Sequence, residues 1–341
     1  MKIALLNAGG DCPGLNAVIR GVVLKGDRIY EHEFVGVRDG FRGLVDDLIV
    51  PLPRQKVRGL SRVGGTILGT SRVSPFVHGG QDTTRVREIL DQHEIDALIA
   101  IGGEGTLTVA RMFHDDGIHV VGVPKTIDND LSATDRTFGF DTAVSIATES
   151  IDRLRTTGEA HGRCMVVEVM GRHVGWIALH AGIASGAHAI LIPEVPVTRE
   201  QVCSWVQQAK DRGRAPTVVV AEGFTFAGDD QVESDRVDGF GRPLLGGIGE
   251  QVTRMVEERT GIEARNTTLG HLQRGGVPSS YDRVLATRFG TAAIDAVSNS
   301  LWGTMVALHG IDIVNVNLSD ATSHLKCVPR DQWDEAAILF G

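Results

Sequence analysis

The chain has 341 residues, of which 42% are hydrophobic and 23% charged, with a formal net charge of -9. That length exceeds one typical core and the apolar content can fill more than one, so two domains or one large α/β unit are expected. The acidic balance excludes a general affinity for nucleic acid or an anionic membrane, and leaves small anions to local clusters of basic residues.

The first predicted element is a strand over residues 3–6, followed by Asn7-Ala8-Gly9-Gly10-Asp11-Cys12-Pro13-Gly14 and a helix start. Consecutive glycines let backbone N–H groups converge on an anion, and the helix N-terminus adds its positive dipole end; a tight strand-to-helix turn also needs glycine for its own sake. The turn has neither Walker A nor GxGxxG spacing. A strand over 34–37, a helix over 84–93 and a strand over 97–101 follow, and the last runs into Gly102-Gly103-Glu104-Gly105-Thr106. A carboxylate among bare glycines suits a Mg²⁺ bridged to phosphates, although Glu is also favoured by the dipole at any helix start.

The apolar run over 120–123 leads into Lys125-Thr126-Ile127-Asp128-Asn129-Asp130. Two carboxylates, a hydroxyl and an ammonium after a buried strand propose acid/base or phosphoryl-transfer chemistry, because open α/β sheets bind ligands outside the carboxyl ends of their strands. The same residues also make an ordinary solvated turn. A helix over 141–154 precedes a strand over 165–169, which ends in Met170-Gly171-Arg172-His173. Strands over 189–192 and 217–221 flank a helix over 200–212, and a charged, glycine-rich excursion over 225–249 reads as a long surface loop. Gly270-His271-Leu272-Gln273-Arg274-Gly275-Gly276 then sets His and Arg beside glycines, where a guanidinium can fork onto phosphate oxygens.

Strands alternating with helices imply mainly parallel sheets covered on both faces, hence an α/β fold of two Rossmann-like three-layer lobes. No stretch has the length of apolar residues a membrane helix needs, and Met1 leads straight into a short strand without the pattern of a secretory signal. Cys12, Cys164, Cys203 and Cys327 are too scattered for a disulfide framework or CxxC metal spacing, so a cytoplasmic setting is expected.

Taken in order, Gly-Gly-Asp-x-Pro-Gly-x-Asn, Gly-Gly-x-Gly-Thr, Thr-Ile-Asp-Asn-Asp, Glu-Val-Met-Gly-Arg and Gly-His-x-Gln-Arg-Gly-Gly resemble the 6-phosphofructokinase family, over residues 3–293 apart from the excursion. The resemblance implies transfer of the γ-phosphate of ATP to the 1-hydroxyl of fructose 6-phosphate, in the phosphofructokinase fold. It implies a donor lobe over 1–139 and 275–323 and a sugar-phosphate lobe over 140–274 and 324–341. Asp128 would be the general base, with Thr126, Asp130 and Arg172 completing the catalytic set. Gly10, Arg72, Val73, Gly103, Glu104, Gly105 and Thr106 would cradle the donor, with Mg²⁺ near Glu104. Met170, Gly171, Arg172 and Glu222 would hold the sugar, along with Thr126 and Asp128. His271 and Arg274 would clamp its 6-phosphate, together with Arg163 and Arg265 reaching across from a neighbouring subunit. A homodimer or homotetramer is thereby implied.

Two positions bear on the donor. Gly105 leaves room for the rest of a nucleotide where pyrophosphate-using relatives carry an acid that would repel the α-phosphate, which favours ATP; Lys125 is the residue those relatives show where many ATP users have glycine. Arg20, Arg54 and Arg155 match arginines of the family's effector pocket, and Leu24 replaces another. An NAD or lipid kinase shares a Gly-Gly-Asp-Gly-Thr turn but lacks the Met-Gly-Arg and Gly-His-x-Gln-Arg-Gly-Gly pair, and a non-catalytic sugar-phosphate sensor would predict loss of Asp128 or Glu104, both of which are present.

Overall fold

The computed structural model describes residues 1–76, 83–229, 233–237 and 243–341, with 233–237 and 243–245 as strand path alone. The chain falls into two compact units: Met1–Asp141 with Arg274–Leu325, and Thr142–Gln273 with Lys326–Gly341. Arg274, expected with the sugar-phosphate lobe, thus groups with the first unit.

The first unit is built on a seven-stranded sheet ordered β13-β12-β5-β4-β1-β2-β3. Its central strands β1 (Lys2–Asn7), β2 (Glu33–Val37), β4 (Ala97–Gly102), β5 (Val120–Pro124) and β12 (Thr304–His309) run parallel, while the edges β3 (Ile49–Pro51) and β13 (Asp312–Asn317) are antiparallel. The strands β1, β4 and β5 are almost entirely buried, as uninterrupted apolar runs covered on both faces should be. The helices α1 (Leu15–Ile29) and α9 (Ser280–Ser298) pack on each other, and α3 (Thr84–Gln92) and α4 (Glu104–Asp115) contribute Val86, Ile89, Leu107 and Phe113 to the core. Phe41 and Phe113 meet edge to face at 5.7 Å. Two short helices, α2 (Gly40–Val45) and α10 (Leu318–Ala321), complete the unit.

The second unit has a four-stranded, wholly parallel sheet ordered β11-β6-β8-β7, made of β6 (Cys164–Val169), β7 (Ala189–Leu191), β8 (Thr217–Ala221) and β11 (Ala264–Thr268). Its helices are α5 (Phe140–His161), α6 (Trp176–Ser185), α7 (Arg199–Asp211), α8 (Ile248–Thr260) and α11 (Arg330–Ala337); Phe140 and Asp141 of α5 still belong to the other unit. Thr198 and Gln201 close a reciprocal capping box at the start of α7. Trp205, Trp333 and Phe340 pack as an aromatic cluster, with Trp333 Nε1 donating to Ile190 O at 2.9 Å.

Two expectations need correction. The excursion over 225–249 is not a bare loop: Phe226 bridges to Val197, β9 (Glu233–Val237) pairs antiparallel with β10 (Pro243–Leu245), and α8 begins at Ile248. Such pairing satisfies backbone groups that an irregular loop would leave to water. Residues 230–232 and 238–242 of that segment, and 77–82, lie outside the described residues. The second correction concerns unexpected strands. β12 and β13 form a hairpin outside the strand-helix alternation, and β11, Ala-Arg-Asn-Thr-Thr, is too polar to announce itself as a buried strand. Among the described residues no helix is long and apolar enough to cross a membrane.

Candidate active site

In the first unit, Asn7 pairs with Ile101 and Gly102 with Pro124, so β1, β4 and β5 end side by side. The turns that follow them therefore open at one edge, where parallel sheets bind ligands. Gly9 turns the chain at a φ of 82°, in the region where only glycine is unstrained. Its N–H donates to Ser71 O at 2.9 Å and its carbonyl accepts from Thr70 Oγ1 at 2.7 Å, which draws the segment carrying Arg72 and the exposed Val73 against the first glycine turn.

Lys125 cross-links the three strand ends. Its backbone N–H donates to Gly102 O at 2.9 Å, while its buried ammonium donates to Gly10 O. Burial lowers the pKa of this lysine, and the nearby Arg274 guanidinium lowers it further. Lys125, a position that bears on the donor in the sequence, is thus also a tie between turns.

The acidic turn after β5 is pinned from behind. Asn129 is buried at a φ of 53°, and its Oδ1 accepts from Thr137 N at 3.1 Å. Thr137 Oγ1 in turn donates to Thr126 O at 2.8 Å, and Thr126 Oγ1 accepts from Asp128 N at 3.0 Å. A solvated turn would not bury Thr126 and Asn129 or hold them so completely. Asp130 is pushed up to about 6, chiefly by burial and then by the neighbouring Asp128 carboxylate, against hydrogen bonds from its backbone and Thr126. Among the described residues its buried Oδ1 has no hydrogen-bond partner.

Glu104 opens α4 just after Gly103 and accepts from Thr108 Oγ1 at 3.2 Å. Thr106 is buried behind the turn, whereas a Cβ added at Gly105 would meet nothing within 4 Å. Arg274 lies over the first turn: its Nη1 donates to Asp11 O at 3.2 Å and would stand 2.9 Å from a Cβ on Gly10. Its Nε is buried and, among the described residues, has no acceptor. Cys12, packed below, has its thiol pushed up to about 12 by burial, so it is an inert filler rather than a nucleophile.

In the second unit, Met170, Gly171 and Arg172 follow β6, and Glu222 follows β8 with its N–H donating to Val169 O at 2.9 Å. Gly171 has a φ of 130°, and a Cβ there would lie 2.4 Å from Val174 O. A Cβ on Gly223 would lie 2.0 Å from Arg172 O, so the two segments touch and bring these four residues together. Leu269 N donates to Glu168 O at 3.0 Å, and His271 is exposed in the short 3₁₀ turn that follows. Arg163 and Arg265 sit at the opposite end of the same strands, one just before β6 and the other at the start of β11, roughly 20 Å away along the strand. Within their own unit they do not join Met170 and Glu222.

Sequence reasoning assigned no role to Gln273. It is fully buried, accepts from Met170 N at 3.3 Å and donates to Gly270 O at 3.1 Å, tying the His271 turn to the sugar-side turn. Its place inside the Gly-His-x-Gln-Arg motif is the signal that could have found it. Of the effector-pocket positions, Arg20, Leu24 and Arg54 line one cavity of about 420 Å³ with Lys25 and Arg28, while Arg155 belongs to the second unit and donates to Ser185 O at 3.0 Å.

Paired glycine turns and a desolvated acid pair at the ends of parallel strands define a phosphoryl-transfer enzyme of the α/β class. A family model described as phosphofructokinase matches residues 2–297. Over the full length of both chains, this chain is 56% identical to the pyrophosphate–fructose 6-phosphate 1-phosphotransferase of Amycolatopsis methanolica and 51% identical to ATP-dependent 6-phosphofructokinase 2 of Streptomyces coelicolor. The phosphofructokinase of Pichia pastoris in the T-state superposes with a TM-score of 0.82 at 32% identity, covering 99% of this chain and 36% of that one. The chain belongs to the phosphofructokinase family and is a phosphotransferase of that type.

Proposed function

We propose that the protein is an ATP-dependent 6-phosphofructokinase, converting fructose 6-phosphate and ATP to fructose 1,6-bisphosphate and ADP. The observation that carries the choice of donor is the open space at Gly105: with nothing within 4 Å of a Cβ there, the mouth of the second glycine turn can pass the remainder of a nucleotide. An acid at that point would project into the path and repel an α-phosphate. Lys125 is spoken for by Gly10 O and is compatible with either donor.

In this reading Asp128 takes the proton from the sugar's 1-hydroxyl as that oxygen attacks the terminal phosphate in line, and Thr126 and Asp130 fix the loop around it. Gly10 and Gly103 to Thr106 cradle the donor with backbone amides, and Arg72 and Arg172 balance the charge that develops on the transferring group. Met170, Gly171 and Glu222 grip the sugar; His271, Arg274 and, from a neighbouring subunit, Arg163 and Arg265 clamp its phosphate.

Among the described residues no three acidic, His or Cys side chains converge as a dedicated metal cage. Mg²⁺, which binds through one or two carboxylates together with substrate phosphates, would be held by Glu104, near Asp130, whose buried Oδ1 has no hydrogen-bond partner among the described residues. When bound, the ion neutralises charge on the donor phosphates.

Pyrophosphate as donor is the second reading, supported by the names of the 56% and 54% identical relatives. Turnover of wild type and Gly105→Asp with each donor decides. Wild type should use ATP, and the substitution should abolish that use while sparing pyrophosphate; a wild type that prefers pyrophosphate overturns the ATP assignment.

A further inference from the structure

One carboxylate holds both arginines that the proposed function assigns to the neighbouring subunit's substrate. Glu263 precedes β11 by one residue and shares a strand face with Arg265, two positions on. Its Oε2 accepts from Arg163 Nε at 2.8 Å, and its Oε1 accepts from Arg265 Nη2. The backbone fixes this meeting, because Cys164 N donates to Glu263 O at 2.9 Å and Ala264 pairs with Cys164 in the sheet. Arg265 is tied further: its Nη1 donates to Ala264 O at 2.7 Å and to Glu257 Oε1 at 3.3 Å.

The donors that remain are as informative as those engaged. Arg163 spends its Nε on Glu263, and among the described residues its two terminal nitrogens have no acceptor. Those two nitrogens form the fork that matches a phosphate bidentately. The carboxylate therefore grips the back of the guanidinium and leaves its front for an anion. It also lies between two like charges that would otherwise push apart. Arg163, hydrogen-bonded to it, and then the charge of Arg265 lower the pKa of Glu263, so it is ionised at neutral pH.

We infer that Glu263 is a positioning residue for the sugar phosphate: it gathers Arg163 and Arg265 into one bipartite phosphate receptor before substrate arrives, without itself touching the substrate. This rests on the reading that the two arginines bind the 6-phosphate.

The test is steady-state kinetics with fructose 6-phosphate varied at saturating donor, on the full-length oligomer. Glu263→Gln should raise the KM for fructose 6-phosphate roughly two- to fivefold, the range of a partly exposed ion pair, with kcat and the donor KM unchanged. Glu263→Asp, which keeps the charge, should shift that KM less, and Glu263→Gln should add nothing once Arg163 and Arg265 are both Ala. An unchanged or lowered KM in Glu263→Gln overturns the inference, as does an equal rise in the donor KM. Arg163→Ala and Arg265→Ala separate this from the underlying reading. If both leave the KM for fructose 6-phosphate unaltered, the phosphate clamp itself fails; if both raise it while Glu263→Gln is silent, only the role of Glu263 fails. Urea midpoints of all variants should match wild type, since the side chains involved are 31 to 50% exposed.

Discussion

At the scale of single residues, the acid pair after β5 makes the sharpest predictions. Asp128→Asn removes a proton acceptor and almost no volume, so kcat should fall by about 10²- to 10⁴-fold while fructose 6-phosphate binding, followed by equilibrium titration, stays near normal. Near-normal turnover in that variant would remove Asp128 from the role of base. Asp130 gives the pH dependence its sign. With its carboxyl raised to about 6 by burial and by Asp128, the pair keeps a proton below that pH and releases it above. Turnover should therefore fall as pH drops through about 6, and Asp130→Asn should move that limb to lower pH, because the like charge beside Asp128 is gone; a kcat-pH profile reads this, and an unmoved limb contradicts it. The same shift works against the fold: from the model-compound value of 3.8 up to about 6, the native chain holds a proton that the unfolded chain has released, so stability declines as pH rises through that window. Asp128 and Glu104 could be picked out in the sequence because each lies in the turn that follows an apolar run. The tie from Lys125 to Gly10 could not, since it joins residues 115 positions apart and no local pattern encodes it.

At the scale of elements, most strands buried on both faces announced themselves, β12 with its buried Met305 to Leu308 being the exception. β1, β4, β5, β6 and β8 carry apolar runs, interrupted in β6 by Glu168, and each was legible as such. β11 was not, because an edge strand with one pairing partner keeps polar side chains such as Arg265 and Thr268. Missing β11 hid the partnership between Arg163 and Glu263, which exists only once Cys164 and Ala264 are in register. Gln273 is the comparable case among turns. Gln273→Ala strips the half-buried Met170 N–H of its acceptor and Gly270 O of its donor, which should cost about 1–3 kcal/mol in chemical denaturation. The KM for fructose 6-phosphate should rise with it, as both turns loosen together. A variant of full stability and unchanged KM would show that the turns are held some other way.

At the scale of the whole molecule, the distance between Arg163 and Met170 along β6 bears on how many chains make one site. If Arg163 serves a neighbour, two variants that are each nearly silent at low fructose 6-phosphate can complement. Asp128→Asn and Arg163→Ala homo-oligomers, dissociated, mixed in equal amounts and reassembled, should recover roughly one quarter of wild-type turnover. In a dimer with random pairing, half the assemblies are hybrids and each hybrid holds one intact site of two. No recovery after verified exchange of subunits would place every group of the site on one chain. A different consequence follows from the order in which the sheet of the first unit is assembled. β5, which carries the acidic turn, ends at Pro124, yet the strand that covers its open side, β12, begins only at Thr304. Ser132, just beyond that turn, is held through its hydroxyl by the carbonyls of Asp320 and Ala321. On the ribosome the whole of the central segment must therefore emerge while β5 stands as an unpaired apolar edge, a surface that invites mispairing. The nascent chain thus exposes that edge until Thr304 to His309 appear, and the stretch beyond the acidic turn is pinned only once Asp320 and Ala321 have followed.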